Sequence, residues 1–165
     1  PNMDLGEAVG NLTDCFVAIV YEDTFVDTTV INDELSPMWM PWTTRAFVLH
    51  MKHPLSTLYI GAFDYDIGHL NNHEGIGRVA VNLQAFSPGT SYTLDYNLYS
   101  SSNVTERNSF GTITIRLRME LEDERAYLLA GILQPPPRFH VNVTKEKSLA
   151  VVRYVVNGAY DDEKF

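Results

Sequence analysis

Asp64 and Asp66 stand two residues apart at the end of the apolar run Leu58-Tyr59-Ile60-Gly61-Ala62-Phe63, and Glu74 follows ten positions after Asp64, just before a second apolar run. Side chains at i and i+2 of a strand share a face, so an extended 57–64 segment projects Asp64 and Asp66 from the same side. Two carboxylates held together repel unless a proton or a cation lies between them. A hard cation ligated by oxygen suits such a pair, and calcium, which takes six to eight oxygens from flexible loops, suits it best. The alternative is that both are turn residues, as Asp often is. His69 and His73 lie four apart between these carboxylates. A loop gives them no fixed geometry, and two His without soft co-ligands make a weak zinc case, so they read as solvated loop residues.

The elements that must position these groups are mostly β-like in period. Candidate strands are 15–21, 24–32, 44–51, 57–64, 77–83, 92–99 and 112–120, with Ile113, Ile115, Leu117 and Met119 alternating onto one face of the last. Turn signals separate them, among them Glu22-Asp23, Ser36-Pro37, His53-Pro54 and Ser87-Pro88-Gly89. Short strands at this spacing, without a long helical pattern, predict an antiparallel sandwich. His50 and His53 read as strand-end surface residues, and Trp39 and Trp42 as packing aromatics near a strand start. Residues 122–133 predict a short helix with Leu128, Leu129, Ile132 and Leu133 on one face. Pro135-Pro136-Pro137 ends it and forms a stiff spacer. The run 149–156 is rich in β-branched residues and predicts one more strand.

Composition narrows the functions. The chain has 165 residues, 21 acidic against 12 basic, for a net charge of −9. Nucleic acid is not an expected partner, because phosphate neutralisation needs clustered Lys and Arg. Anionic lipid is equally unfavourable unless bound divalent cations reverse the local field. Cys15 is the only cysteine, which excludes an intrachain disulfide and a cysteine-based zinc site. No Gly-x-Ser-x-Gly, phosphate-loop or His-Glu-x-x-His pattern occurs, so catalysis is not expected. Asn11, Asn103 and Asn142 each open a glycosylation triplet, a weak pointer to an extracellular setting. The opening Pro1-Asn2-Met3 suggests a fragment or a processed product.

Thr13-Asp14-Cys15-Phe16-Val17, Ser36-Pro37-Met38-Trp39, the run from Leu58 to Asp66, Gly75-Ile76-Gly77 and Phe110-Gly111-Thr112-Ile113 follow one another in an order that resembles a C2 domain. The first is similar to the family's Ser-Asp-Pro-Tyr-Val, with Cys in place of Pro. The second is similar to its Asn-Pro-x-Trp, although Met40-Pro41 stands where Asn-Glu is usual. The resemblance covers roughly residues 4–121 and implies an all-β, eight-stranded antiparallel sandwich whose loops at one end gather calcium. Seven of its strands are evident within 15–120, and the short helix and an extra strand follow in the C-terminal extension. The expected organisation is a sandwich over 1–121, the helix and proline-rich linker over 122–138, and an extension over 139–165. The family's strand before the first loop is missing here. Either it lies upstream of Pro1, or 149–156 completes the sandwich or opens a following module.

By position, the resemblance implies Asp14, Asp64, Asp66 and Glu74 as calcium ligands, with Asp4 as a fifth. Asp4 lies ten residues before Asp14, where six is usual, and Glu74 replaces an aspartate. Met3, Leu5, Val9, Ile67 and Leu70 flank these carboxylates and are the expected membrane-contacting side chains. Residues 23–30 hold no Lys or Arg, so no phosphoinositide site of the family's Lys-rich type is expected. The implied function is calcium-dependent binding of anionic phospholipid at the cytoplasmic face of a membrane, as a module of a larger protein. The alternative is a calcium-independent C2-like domain serving protein contacts or structure, in an extracellular setting if the glycosylation triplets are used.

Overall fold

The computed structural model describes residues 12–39, 46–65, 73–99, 111–133, 151, 152 and 154–156. Six strands are present among them: β1 (Cys15–Tyr21), β2 (Thr24–Asp27), β3 (Thr57–Asp64), β4 (Glu74–Asn82), β5 (Ser91–Asn97) and β6 (Thr112–Arg118). A 3-10 turn at Leu83–Ala85 follows β4, and α1 spans Glu124–Leu133. All pairings are antiparallel, giving a four-stranded sheet in the order β2-β1-β3-β4 and a two-stranded sheet β5-β6. The described strands therefore form an all-β antiparallel sandwich, in line with the expected C2-like architecture. The run 24–32 divides, with β2 ending at Asp27 and a lone bridge joining Ile31 to Cys15. Residues 46–51 form no ladder, and 44 and 45 lie outside the described residues.

The core sits on both faces of the larger sheet. On the inner face Val17, Tyr21, Leu58, Ile60 and Val81 are buried against Met119 and the half-buried Ile113, Ile115 and Leu117. These belong to the smaller sheet and its end, as the alternation over 112–120 predicts. The outer face carries Phe16, Ala18, Val20 and Phe63, all buried, and their cover is the C-terminal segment: Val151, Val152, Tyr154 and Val155. That explains why β1 is apolar on both sides, a pattern otherwise expected of a central strand covered by helices.

The backbone of 151, 152 and 154–156 is helical, so the strand expected over 149–156 is corrected. The reason is tertiary. On a helix, Val151, Tyr154 and Val155 fall at i, i+3 and i+4 and make one apolar stripe. Burial of that stripe, worth roughly 1.5–3 kcal/mol per large side chain, outweighs a β-branched preference of about 1 kcal/mol. Two glycines make room. A Cβ at Gly75 would overlap the Tyr154 ring, and one at Gly61 would lie 2.7 Å from Val155 Cγ2.

Arg78 fastens the end of this segment. Its Nη1 donates to the carbonyls of Val155 at 3.0 Å and Val156 at 3.1 Å, a cation placed at the carbonyls of the last described helical residues. Burial draws the guanidinium below its usual pKa, with Tyr154 and then Tyr59 opposing the shift. Arg78→Met is expected to cost about 1–2 kcal/mol in urea denaturation, since it removes charge-assisted bonds and keeps the aliphatic stem.

Helix α1 starts two residues later than 122, because Asp123 caps it by accepting from the Ala126 amide at 2.9 Å. Its expected apolar face is not buried: Leu128, Leu129, Ile132 and Leu133 are all exposed. Gly131 supplies its approach to the sandwich, lying against Pro54.

Candidate functional site: the acidic end of the sandwich

Register brings the candidate ligands together. Cys15 pairs with Asp64, and Asp64 pairs with Glu74, so the ends of β1, β3 and β4 line up side by side. Asp14, one residue before β1, falls in the same row. Its backbone amide donates to Asp64 Oδ1 at 2.8 Å, and its carbonyl accepts from the Tyr65 amide at 2.8 Å. Asp14 Oδ1 accepts from the Asp33 amide at 2.9 Å, while the Glu34 amide donates to the Thr13 carbonyl at 3.1 Å. Asp64 is half-buried and Glu74 exposed.

Three of the five expected ligands, Asp14, Asp64 and Glu74, therefore share one end of the molecule. Asp4 and Asp66 lie outside the described residues, as do Met3, Leu5, Val9, Ile67, Leu70 and the three glycosylation asparagines. Among the described residues, no group of three His, Cys, Asp or Glu converges closely enough to hold a metal. The donor set is right for calcium, since every candidate is a carboxylate oxygen. One oxygen each of Asp14 and Asp64 is already committed to a backbone amide, which fixes the side chains, and among the described residues the second oxygen of each makes no hydrogen bond.

Two further acidic residues at this end escaped the sequence reading. Asp33 and Glu34 sit in the loop that Asp14 anchors, and Asp33 has φ of 55°, a left-handed conformation to which Asp is well suited. The Asn32-Asp33-Glu34 triplet before Ser36-Pro37 was the signal available. Leu35, 72% exposed, follows them. Cys15 belongs to the row by register but not by chemistry: burial first, then the Asp64 charge, push its thiol up to about 11, so it stays protonated at neutral pH.

The histidines depart from expectation. His73 is not a solvated loop residue: it is half-buried, stacks on Tyr65 at 4.9 Å and meets the Phe16 ring edge-on at 5.1 Å. His53 is not on the surface either, with 2% exposure. The expected packing role of Trp39 holds, for it rests against the inner-face cluster and a smaller one of Cys15, Ala62 and Leu98, and it donates its indole N–H to the Thr29 carbonyl at 2.8 Å. Trp42 lies outside the described residues.

An antiparallel sandwich with acidic loops gathered at one end defines a binding module rather than a site built on a cleft between domains. The C2 domain family model matches residues 1–98, more than half of the chain, and the chain belongs to the C2 domain family. The fold is also similar to that of a solved structure described as "CC2D1B coordinates ESRCT-III activity during the mitotic reformation of the nuclear envelope". The two share 19% identity over 68% of this chain and 49% of that one, with a TM-score of 0.50. The chain thus spans about half the length of that neighbour. No curated protein matches the sequence. C2 domains are binding modules for lipids or proteins, and that is the class of function the family gives this chain.

Proposed function

We propose that the chain is a calcium-dependent phospholipid-binding module, without catalytic activity, acting at the cytoplasmic face of a membrane as part of a larger protein. The observation that carries this reading is the alignment of Asp14, Asp64 and Glu74 at the ends of three neighbouring strands. With Asp4 and Asp66 added, five carboxylates would face one another, and they could not all stay ionised without a counter-ion. Calcium supplies that charge, and lipid phosphate or carboxylate completes its oxygen shell. The protein's part is to hold the carboxylates and to present apolar side chains beside them, Leu35 among the described residues and Ile67 and Leu70 outside them.

Calorimetric titration tests the metal step. Calcium is expected to bind and to raise the unfolding midpoint, by about 2.7 kcal/mol of stability at a hundredfold excess over the dissociation constant. Asp64→Asn is expected to abolish both effects while keeping the bond to the Asp14 amide, because the Asn carbonyl still accepts. Liposome sedimentation with Asp64→Asn and Asp66→Asn then asks whether lipid binding runs through the metal. Absence of heat and of stabilisation at millimolar calcium would rule the reading out.

The second reading, a calcium-independent scaffold for protein contacts, is favoured by one specific observation. Asp14 and Asp64 each already bond a backbone amide and so have a structural task that needs no metal. In this reading, glycans at Asn11, Asn103 and Asn142 would mark an extracellular setting.

A further inference from the structure

The outer face of the larger sheet holds a cleft of about 100 Å³ beside the C-terminal segment, walled by Phe16, Phe25, Asp27, Tyr65, His73 and Val151. Strand register builds one side of it. Phe25 pairs with Val20 and Asp27 with Ala18, so both stand on the face that Phe16 also occupies. The loop base builds the other. Tyr65 and His73 stack, and Phe16 meets them at 6.3 and 5.1 Å with interplanar angles of 78° and 80°. Contacts among the rings hold this wall in shape before any ligand arrives. The volume is well below the roughly 300–1,000 Å³ of cofactor and drug sites, and it suits one side-chain head.

Charge selects the head. Asp27 is exposed and, among the described residues, makes no ion pair or side-chain hydrogen bond, the described pairs being Lys52–Asp23 and Arg118–Glu120. Aromatic faces carry negative electrostatic potential and attract ammonium or guanidinium groups within about 6 Å. An exposed carboxylate beside several aromatic rings, on a chain of net charge −9, is complementary to a cation with an apolar stem. We propose that this cleft receives the side chain of a lysine from a basic partner peptide. The site uses none of the carboxylates assigned to calcium, so it stands independently of the membrane reading.

The test uses the full ¹⁵N-labelled chain in EGTA, titrated by NMR with Nα-acetyl-lysine amide and with Nα-acetyl-norleucine amide, which has a similar stem and no charge. The lysine compound is expected to shift the amides of residues 25–28, 65 and 73 saturably, and the norleucine compound is not. Asp27→Asn is expected to weaken lysine binding about tenfold, or about 1.4 kcal/mol, while leaving the rest of the spectrum unchanged. Equal binding of norleucine, an unchanged affinity in Asp27→Asn, or response of these amides to phosphatidylcholine vesicles alone would each overturn the proposal. Absence of calcium binding in the calorimetric titration, with the lysine shifts present in EGTA, would count against the membrane reading alone.

Discussion

Tyr154→Ala is expected to lower stability by about 3–5 kcal/mol, one of the two largest losses for any single change among the described residues. The ring is 4% exposed and lies at 5.2 Å from Phe63 in an edge-on contact, over the glycine that gives it space. Removing it leaves a cavity between the outer face of the sheet and its helical cover, and it unseats the residues that shield Phe16 and Val20. Gly75→Val attacks the same contact from the opposite side and is expected to act in the same direction, because its Cβ cannot coexist with the ring. Urea denaturation followed by tyrosine fluorescence measures both. A loss below 1 kcal/mol for Tyr154→Ala would mean that the C-terminal segment is not part of the core.

The second large effect is expected at Glu22. This carboxylate is 5% exposed and accepts from the Lys52 amide at 3.1 Å, the His53 amide at 3.0 Å and the Ser56 hydroxyl at 2.7 Å. Glu22 also has φ of 50°, at the first loop position of the β1–β2 hairpin, where glycine is usual in a two-residue turn. A glutamate there accepts backbone strain in exchange for the three bonds. Burial, and then the adjacent Glu22 charge, push the Tyr21 phenol up as well. Glu22→Ala strands three donors and is expected to cost about 3–5 kcal/mol in thermal or urea unfolding. Glu22→Gly relieves the backbone and removes the same acceptor. If it proves more stable than wild type, backbone strain rather than hydrogen bonding governs this turn.

What the sequence disclosed follows physical range. β1 and β3 have the predicted bounds, because continuous apolar runs ended by Glu22-Asp23 and by Asp64 are local signals. β4 starts three residues earlier than 77, since the predicted strand opened at Gly77 while the observed one passes through Glu74, Gly75 and Ile76 with a bulge opposite Ala62 and Phe63. His53 was misplaced because its neighbour Pro54 marks a turn, whereas its burial depends on Glu22, thirty-one positions away. The helical backbone of 151, 152 and 154–156 was misread for the same reason: Val-rich composition is local, and the sheet face that overrides it is not. At the acidic end, the order of short motifs pointed to Asp14, Asp64 and Glu74, which strand register sets side by side. The loop carrying Asp33 became visible only through the amide that Asp14 accepts.

The contact between Arg78 and the Val155 carbonyl spans 77 positions, and Val151, Val152, Tyr154 and Val155 come late in the chain. A ribosome that has delivered β1 to β6 has therefore still not delivered the lid of the larger sheet. During that interval Phe16, Val20 and Phe63 face water, and long-range closure of this kind is slow. Co-translational chaperone demand is thus highest after β6 has emerged, and nascent chains stalled before residue 151 would be the most prone to aggregate.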